Sequence, residues 1–504
     1  MKPKAGWLLA LCGLAGCAVG PNYQEPAPAV PDRWQAERRA DDLKPVDRET
    51  LKNWWKSFGD AGLDRLMEQA VDENLDLQIA LSRIEQARAE RRGTGAQLFP
   101  KVDVAFGAQR NDNPFPGFAP GIRFNLFELG FDAIWEIDLF GRQHRRLEAA
   151  SADLDAAKDK YAQALVTLTS DLARGYIEYR SLQYQLRITR SNLEAQQKTL
   201  KLTELLFNEG AGTRHDVVRA RAQTETTAAL LPALEAELVA VQRQLEVLVG
   251  RQPGALAAEL EQQGDVPVAP GHAILATPAW TIRHRPDLRI AERRLAAATA
   301  LQGAAIAELF PKVSLSAFLG LRNTDIESLF KSAAYSYGVA ASLLQPLLHF
   351  GRIRAGIDLA EARQREAYLA FEKAVLEALR ETETALTRYL KEEIRRQILG
   401  RSVADLRESV RLSQLRYHEG VISFLDVLDA QRALYVAEIE LARSEAAAST
   451  NLIAMYKALG GGAEARQPEV KAHRFQPTIT QVRPPILWSS AKRIQNLVKQ
   501  IGLE

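Results

Sequence analysis

Few residues in this sequence are placed to do covalent chemistry. The two cysteines, Cys12 and Cys17, stand near the start of the 504-residue chain, and the seven histidines are scattered, with no helical pair at metal-ligand spacing. There is no Ser–His–Asp order and no glycine-rich phosphate loop. The acids come as helix-surface residues rather than as a pocket pair; Asp426 and Asp429, three apart, share one helix face. These features argue against an enzyme and imply no cofactor. Charged residues make up 25% of the chain and balance to a formal +2, so there is no polybasic footprint for nucleic acid. The chemistry that remains belongs to the Cys17 thiol.

Lys2 and Lys4 form a positive start, Trp7 to Ala15 a short apolar run, and Leu14-Ala15-Gly16-Cys17 a small-residue site. This is the pattern of a secretory signal, too short for a transmembrane helix. A site of this kind ending at a cysteine resembles the lipobox of bacterial lipoproteins. That resemblance implies Cys17 as the mature N-terminus, diacylated on sulfur, with residues 1–16 removed. Cys12 fits less well, because the large Leu11 precedes it; the competing reading is an ordinary signal peptide with an incidental cysteine. Ala18 follows, where Asp would favour inner-membrane retention. No cysteine lies beyond Cys17, so no intrachain disulfide is expected despite an oxidising compartment. No later segment approaches 18 continuous apolar residues, so any membrane crossing requires a closed barrel.

Most of the chain is one unit written twice. Gln97-Leu98-Phe99-Pro100-Lys101-Val102 recurs 211 residues on, as Glu308-Leu309-Phe310-Pro311-Lys312-Val313. Phe140-Gly141-Arg142 recurs 210 residues on, as Phe350-Gly351-Arg352. Asn208-Glu209-Gly210 with His418-Glu419-Gly420, Asp216-Val217-Val218 with Asp426-Val427-Leu428, and Val249-Gly250 with Leu459-Gly460 keep the offset of 210. Each unit reads as a helix of about 24 residues closed by proline, a strand region, a proline-free helix of about 66, and a closing helix of about 36. The long helices are expected from about Gly141 to Phe207 and from about Gly351 to Tyr417, stopped by Gly210 and Gly420. Fresh helices open at Thr213 with Asp216 and at Ser423 with Asp426, both shaped like capping boxes with Asp in the Glu place. The long helix would span about 100 Å, and the two shorter ones stacked end to end would match it. The expected shape is a tall cylinder of helical staves.

Leu165, Leu172, Tyr179, Leu186, Leu193, Leu200 and Phe207 repeat at seven, as do Leu428, Tyr435, Ala442, Ser449 and Tyr456; such a repeat imposes a left-handed supercoil. Val403, Val410 and Tyr417 keep the step more loosely. Pro232 should kink the first closing helix, whereas its counterpart Ala442 should not. Between the helices the period becomes two. Val102, Val104, Phe106 and Ala108; Leu129, Phe131, Ala133, Trp135 and Ile137; Val313 to Leu321; and Tyr335 to Leu343 alternate with polar or small residues. Each stretch has roughly the 9–11 residues that cross a bilayer tilted. A soluble half-buried sheet would show the same alternation. The links at 110–121 and Asn323-Thr324-Asp325 are expected as extracellular loops. Four strands cannot enclose a channel, since even eight are filled by side chains, so several chains must share a barrel.

These residues together resemble the TolC-type outer membrane factors, in particular the lipoprotein efflux branch that includes OprM, of RND-type tripartite systems. The motifs are Cys17-Ala18-Val19-Gly20-Pro21-Asn22-Tyr23, Trp54-Trp55 with Phe58, the twin Leu-Phe-Pro-Lys-Val, Asp138 to Arg142, Gly420 with Phe424 to Arg432, and Tyr456 to Gly462, in one order over about residues 12–465. The resemblance implies an α+β membrane protein: a homotrimer forming a twelve-stranded β-barrel on an α-helical periplasmic tunnel. It implies a channel for small-molecule efflux, docked to a periplasmic adaptor and an inner-membrane pump and anchored in outer-membrane lipid. The divisions would be 17–59 as anchored segment, 60–250 and 286–460 as repeats, 251–285 as linker and 461–504 as tail. It also implies closure at the periplasmic end, where Leu425, Asp426 and Asp429 stand; three copies would make stacked carboxylate rings that favour cations. Asp426 also fits a capping role, like Asp216. Asp429 lacks that role and replaces Arg219 of the other repeat, so it is the first candidate for the pore acid. Leu425 matches an apolar constriction, or ordinary helix packing. Tyr417 with Asp216, and Arg432, match the polar links that hold the last helix until it swings outward. The Arg142, Arg145, Arg146 cluster opposes the helix dipole and reads either as a group with an acidic or headgroup partner or as a solvated face. A coiled-coil structural or adhesive lipoprotein, and a type I protein-secretion channel, are the alternatives.

Overall fold

The computed structural model describes residues 18–36, 44–45, 47–112, 123–262, 264–268 and 274–468. Residues 1–17, with Cys17, most of the 110–121 link and the tail beyond 468 lie outside them.

Each half of the chain runs helix, hairpin, very long helix, closing helix. The first half contains α1 (Ala61–Glu73), α2 (Leu75–Ala96), β1 (Lys101–Asp112), β2 (Arg123–Ile137), α3 (Arg142–Asn208), α4 (Arg214–Ala228) and α5 (Leu230–Val249). The second contains α6 (Pro286–Ala307), β3 (Lys312–Asn323), β4 (Tyr335–Leu344), α7 (Arg352–His418) and α8 (Phe424–Ala458). The two long helices have the same length, 67 residues, which is about 100 Å. Both begin after a glycine in the left-handed region, Gly141 at φ 77° and Gly351 at 82°. The first closing helix is broken at Ala229, three residues before Pro232, because the proline ring cannot tolerate a continuing turn beneath it; α8 runs unbroken.

The shorter helices stack end to end into staves. The end of α5 abuts the start of α2: the Asn74 amide donates to the Leu248 carbonyl at 2.9 Å, and its oxygen caps the Leu77 N–H at 3.0 Å. The end of α8 abuts the start of α6 in the same way, with Arg285 donating to the Ala458 carbonyl at 3.0 Å. Around these joints lies the main core, which includes Trp34, Trp54, Leu63, Leu66, Tyr176, Leu245 and Tyr456. Trp54 stacks on Tyr456 at 5.1 Å, and the Trp34 indole donates to the Ala276 carbonyl at 2.7 Å. The seven-residue stripes are buried at this level and lose burial toward the helix tips. In α3, Leu165, Leu172, Tyr179 and Leu186 are buried, whereas Phe207 is exposed.

The four strands form one antiparallel sheet in the order β1-β2-β3-β4. Register puts the alternating apolar positions of all four strands on one face. The rows Val102–Ala133–Ala317–Val339, Val104–Phe131–Leu319–Tyr337 and Phe106–Leu129–Leu321–Tyr335 run straight across it. The opposite face carries Asp103–Asp132–Phe318–Gly338 and Ala105–Gly130–Gly320–Ser336. Gly130 and Gly320 let the backbones meet: a side chain on Gly320 would begin 2.4 Å from the Leu129 carbonyl oxygen. No described helix is long and apolar enough to cross a membrane.

Candidate functional site

The two interhelical tips are built alike. In both, a glycine at φ 73° ends the long helix. The Gly210 and Ala211 amides donate to Phe207 and Leu206, and the Gly420 and Val421 amides to Tyr417 and Arg416, so each tip closes with paired bonds to the last turn. At the start of α8 the Asp426 carboxylate accepts the Ser423 N–H at 2.9 Å and the Ser423 hydroxyl at 2.7 Å. Those bonds hold its carboxyl below the ordinary range. Asp216 accepts the Thr213 hydroxyl at 2.6 Å. Both acids therefore spend their charge on their own caps.

Asp429 has no such engagement. It stands exposed with Leu425, which is 44% accessible, and Arg432 on one face of α8, while Phe424, Val427 and Gln431 are buried on the other. Arg432 reaches across to the other repeat and donates to Gln223 of α4 at 2.9 Å. Tyr417 packs its ring 5.5 Å from Phe424. Burial, and then the negative charge of Asp216, raise its hydroxyl pKa. The Tyr417 hydroxyl thus lies within reach of the Asp216 charge, and among the described residues no hydrogen bond joins the two. The structure brings together Arg432 with α4 and Tyr417 with the Asp216 tip, and leaves Leu425 and Asp429 on the open face without a polar partner among the described residues.

A second cluster sits at the elbow where β2 turns into α3. Arg142 donates to Glu136 at 2.6 Å and to Glu308 at 2.9 Å, and Lys312 donates to Glu308 at 2.7 Å. Burial works against the Glu308 carboxylate, but the bonds from Lys312 and Arg142 outweigh it and keep its pKa below the ordinary value. Arg145 is buried; it donates to Asn22 Oδ1 at 2.7 Å, to the Val19 and Gly20 carbonyls, and to Glu148 at 2.8 Å. The Val19 N–H donates to the Phe140 carbonyl at 3.2 Å. Ala18 lies so close to Gly141 that a Cβ there would sit 2.6 Å from it. Arg142 and Arg145 thus have local partners rather than a solvated face. Their effect is to seat the segment that directly follows Cys17 at the foot of the sheet.

The polar face of the sheet carries Asp103 opposite Asp132, Glu128 beside Arg322 in an ion pair, and Phe318 under the Arg322 guanidinium at 4.8 Å. Among the described residues no group of His, Asp and Glu could hold a metal ion. Acids on one face of a sheet whose other face is largely apolar, and on helix tips, suit a conduit wall. The sequence matches the outer membrane efflux protein family over residues 66–251 and again over 280–461. The chain belongs to the outer membrane efflux protein family. Nodulation protein T of Rhizobium leguminosarum bv. trifolii is 32% identical over 86% of this chain and 91% of its own length. The solvent efflux pump outer membrane protein SrpC of Pseudomonas putida is 30% identical, over 92% of this chain and 99% of its own length. The solved outer-membrane channel OprN superposes with a TM-score of 0.84 at 36% identity, over 89% of this chain and 100% of that one. This outer-membrane efflux channel subunit is not an enzyme.

Sequence reasoning found the tips but missed the joints and the elbow acids. Arg285 and Asn74 carry no motif, because their partners, Ala458 and Leu248, are remote in sequence and offer only backbone carbonyls. Glu308 was available as the residue opening the second copy of the repeated hexapeptide, but its charge has no counterpart in Gln97 and so drew no attention.

Proposed function

We propose that three copies of this chain form a lipid-anchored channel that carries small molecules outward from a periplasmic adaptor and an inner-membrane pump. The observation that carries the reading is the sheet: four strands, one face built of apolar rows, and two long edges, β1 and β4, that pair with no other described strand. Unpaired backbone groups cannot stand in lipid, so the edges must find other strands. Cys17 is the lipid-bearing residue; replacing it with Ser should abolish incorporation of labelled palmitate. Residues 17–59 serve as the anchored segment, 60–250 and 286–460 as the repeats, 251–285 as the linker at the joints, and 461–504 as the tail.

In this reading the α8 tips converge on the channel axis. Leu425 supplies an apolar constriction and Asp429 a ring of carboxylates one turn away, which favours cations. Asp426 supports the helix start more than the pore. Arg432, Tyr417 and Asp216 hold α8 against the first repeat, and outward movement of α8 opens the channel like an iris. Conductance in planar bilayers tests this. Asp429→Asn should lower cation preference while leaving assembly intact, and unchanged ion selectivity would remove Asp429 from the constriction. SrpC, by its description a solvent efflux pump outer membrane protein, favours small apolar cargo over secreted protein.

A further inference from the structure

The two repeats differ in one exchange near the helix tips. In the first, Arg221 of α4 donates to Glu204 of α3 at 3.0 Å, an ion pair that joins the closing helix to the long one. Advanced by 210, the same two positions are Gln431 of α8 and Gln414 of α7. The second repeat therefore carries two neutral amides where the first carries a charge pair.

Those amides line a crevice of about 370 Å³ between α3, α7 and α8. From α8 it is lined by Gln431, Leu434, Tyr435 and Glu438, the i, i+3, i+4, i+7 spacing of one helix face. Gln431 is only 7% exposed, yet its Oε1 has no hydrogen-bond partner among the described residues. On the α3 side of the crevice, Asn192 Nδ2 is likewise enclosed and without a partner. One turn further along α3, Gln196 Oε1 is in the same state. A buried amide atom left without a bond costs free energy, and folded proteins keep few of them.

The lining defines what would satisfy these groups. Its three charged residues are already engaged: Arg407 with Glu438 at 2.8 Å, and Arg187 with Asp265 at 3.0 Å, its guanidinium 4.8 Å over the Tyr184 ring. A ligand with a net charge would thus meet no uncommitted counter-charge in the lining. Between the charges stand Tyr184 and Ile188 of α3, Val410 of α7, and Leu434 and Tyr435 of α8, surfaces that suit a flat apolar ring. An unused acceptor and an unused donor call for a group that offers both, and a primary carboxamide carries a carbonyl and an NH₂ on one carbon. The last torsion of Gln and Asn is broad, so each can turn its amide toward the ligand.

We infer that this crevice is a binding site for a small neutral aromatic carboxamide, held by Gln431 of α8 and Asn192 of α3 and flanked by Tyr184 and Tyr435. A ligand there ties α8 to α3 beside the Arg432 bond. The site stands on its own geometry; that its occupancy keeps the channel shut rests on the gating reading above.

Benzamide is the probe. N,N-dimethylbenzamide is the control, since it keeps the ring and the carbonyl but donates no hydrogen bond. Calorimetric titration of the full-length lipoprotein in detergent should show saturable benzamide binding and roughly tenfold weaker binding of the control. Gln431→Leu should weaken benzamide by about the same factor without lowering the thermal unfolding midpoint. The double variant Gln431→Arg with Gln414→Glu installs the ion pair that the first repeat already accommodates, and should abolish binding. Equal binding of the two compounds, or binding that both variants retain in full, means partition into micelles and apolar surface and overturns the site. Absence of benzamide binding up to its solubility limit overturns it too. Single-channel recording separates the two readings. Benzamide should lower the open probability of the wild type and leave that of the double variant unaltered. Binding with no change in open probability upholds the site and removes this stretch of α8 from the gate, whereas no binding in a channel that still gates overturns the site alone.

Discussion

Replacing Arg432 with Ala should release the α8 tip. Its guanidinium makes one bond, 2.9 Å, to Gln223 of α4, and this side-chain bond ties the closing helix of the second repeat to that of the first near the tip. Arg432 is exposed and Gln223 half-buried. A bond from a charged donor is worth about 1.5–3 kcal/mol when sheltered, and exposure reduces it to about 1 kcal/mol. Three copies that open together would lose about 3 kcal/mol, which moves the closed-to-open ratio roughly 100-fold at ~1.4 kcal/mol per decade. Single-channel recording should therefore show a large rise in open probability, with channel counts per bilayer unchanged. Gln223→Ala should give the same rise, and the double variant should add nothing, because both changes delete one bond. An unaltered open probability in Arg432→Ala, or additive effects in the double variant, would refute the assignment of this bond to the gate.

The stacked joints should carry measurable stability. Arg285→Ala strips a carbonyl and two half-exposed carboxylates of their donor and should cost about 2 kcal/mol in thermal unfolding; Asn74→Ala, which removes a helix cap and the bond to Leu248, should cost about as much. Midpoints unchanged in both would mean the staves are not coupled there. Gly320→Val places a branched side chain against the Leu129 carbonyl and should abolish the heat-modifiable migration expected of the barrel, whereas the same change at Gly338, which has open space, should not. Burial raises the Glu445 carboxyl above its ordinary 4.5, Arg396 opposing and Asp265 adding to the shift. The ionised form is thus penalised only when folded, so the penalty is full at neutral pH, fades as pH falls through the raised value, and is gone below about 4.5. Glu445→Gln should therefore raise the unfolding midpoint at pH 7 and leave it unaltered at pH 4; a lower midpoint at pH 7 would show that the charge is stabilising.

Much of this protein is local information, and local information is legible in a sequence. Gly210 and Gly420 end helices because only a residue without Cβ accepts φ 73° at no steric cost, and Ser423 with Asp426 opens one because a hydroxyl and a carboxylate three residues apart satisfy free amides of the first turn. The 67-residue helices follow from long runs without proline, and the strands from a period of two. Duplication was plain because the offset of 210 or 211 persists through every landmark. Which acid serves a cap and which stands free was also readable, as Asp426 fills a capping-box place and Asp429 does not.

Tertiary structure decided whatever depends on a partner far along the chain. The Arg142 cluster could be read as solvated or as paired, and only the approach of Glu308, 166 residues away, made it paired. Arg285 and Asn74 became the pins of the staves because helix ends expose carbonyls that no neighbour in sequence can satisfy. The seven-residue stripe did not reveal that its burial fades toward the tips, since period reports which face is apolar and not what covers it. Phe99 and Phe350 carry the same lesson. Their types were visible from the start, but that Phe140 stacks on Phe310 within the chain while their counterparts Phe350 and Phe99 are left exposed at the two edges is a property of the folded sheet.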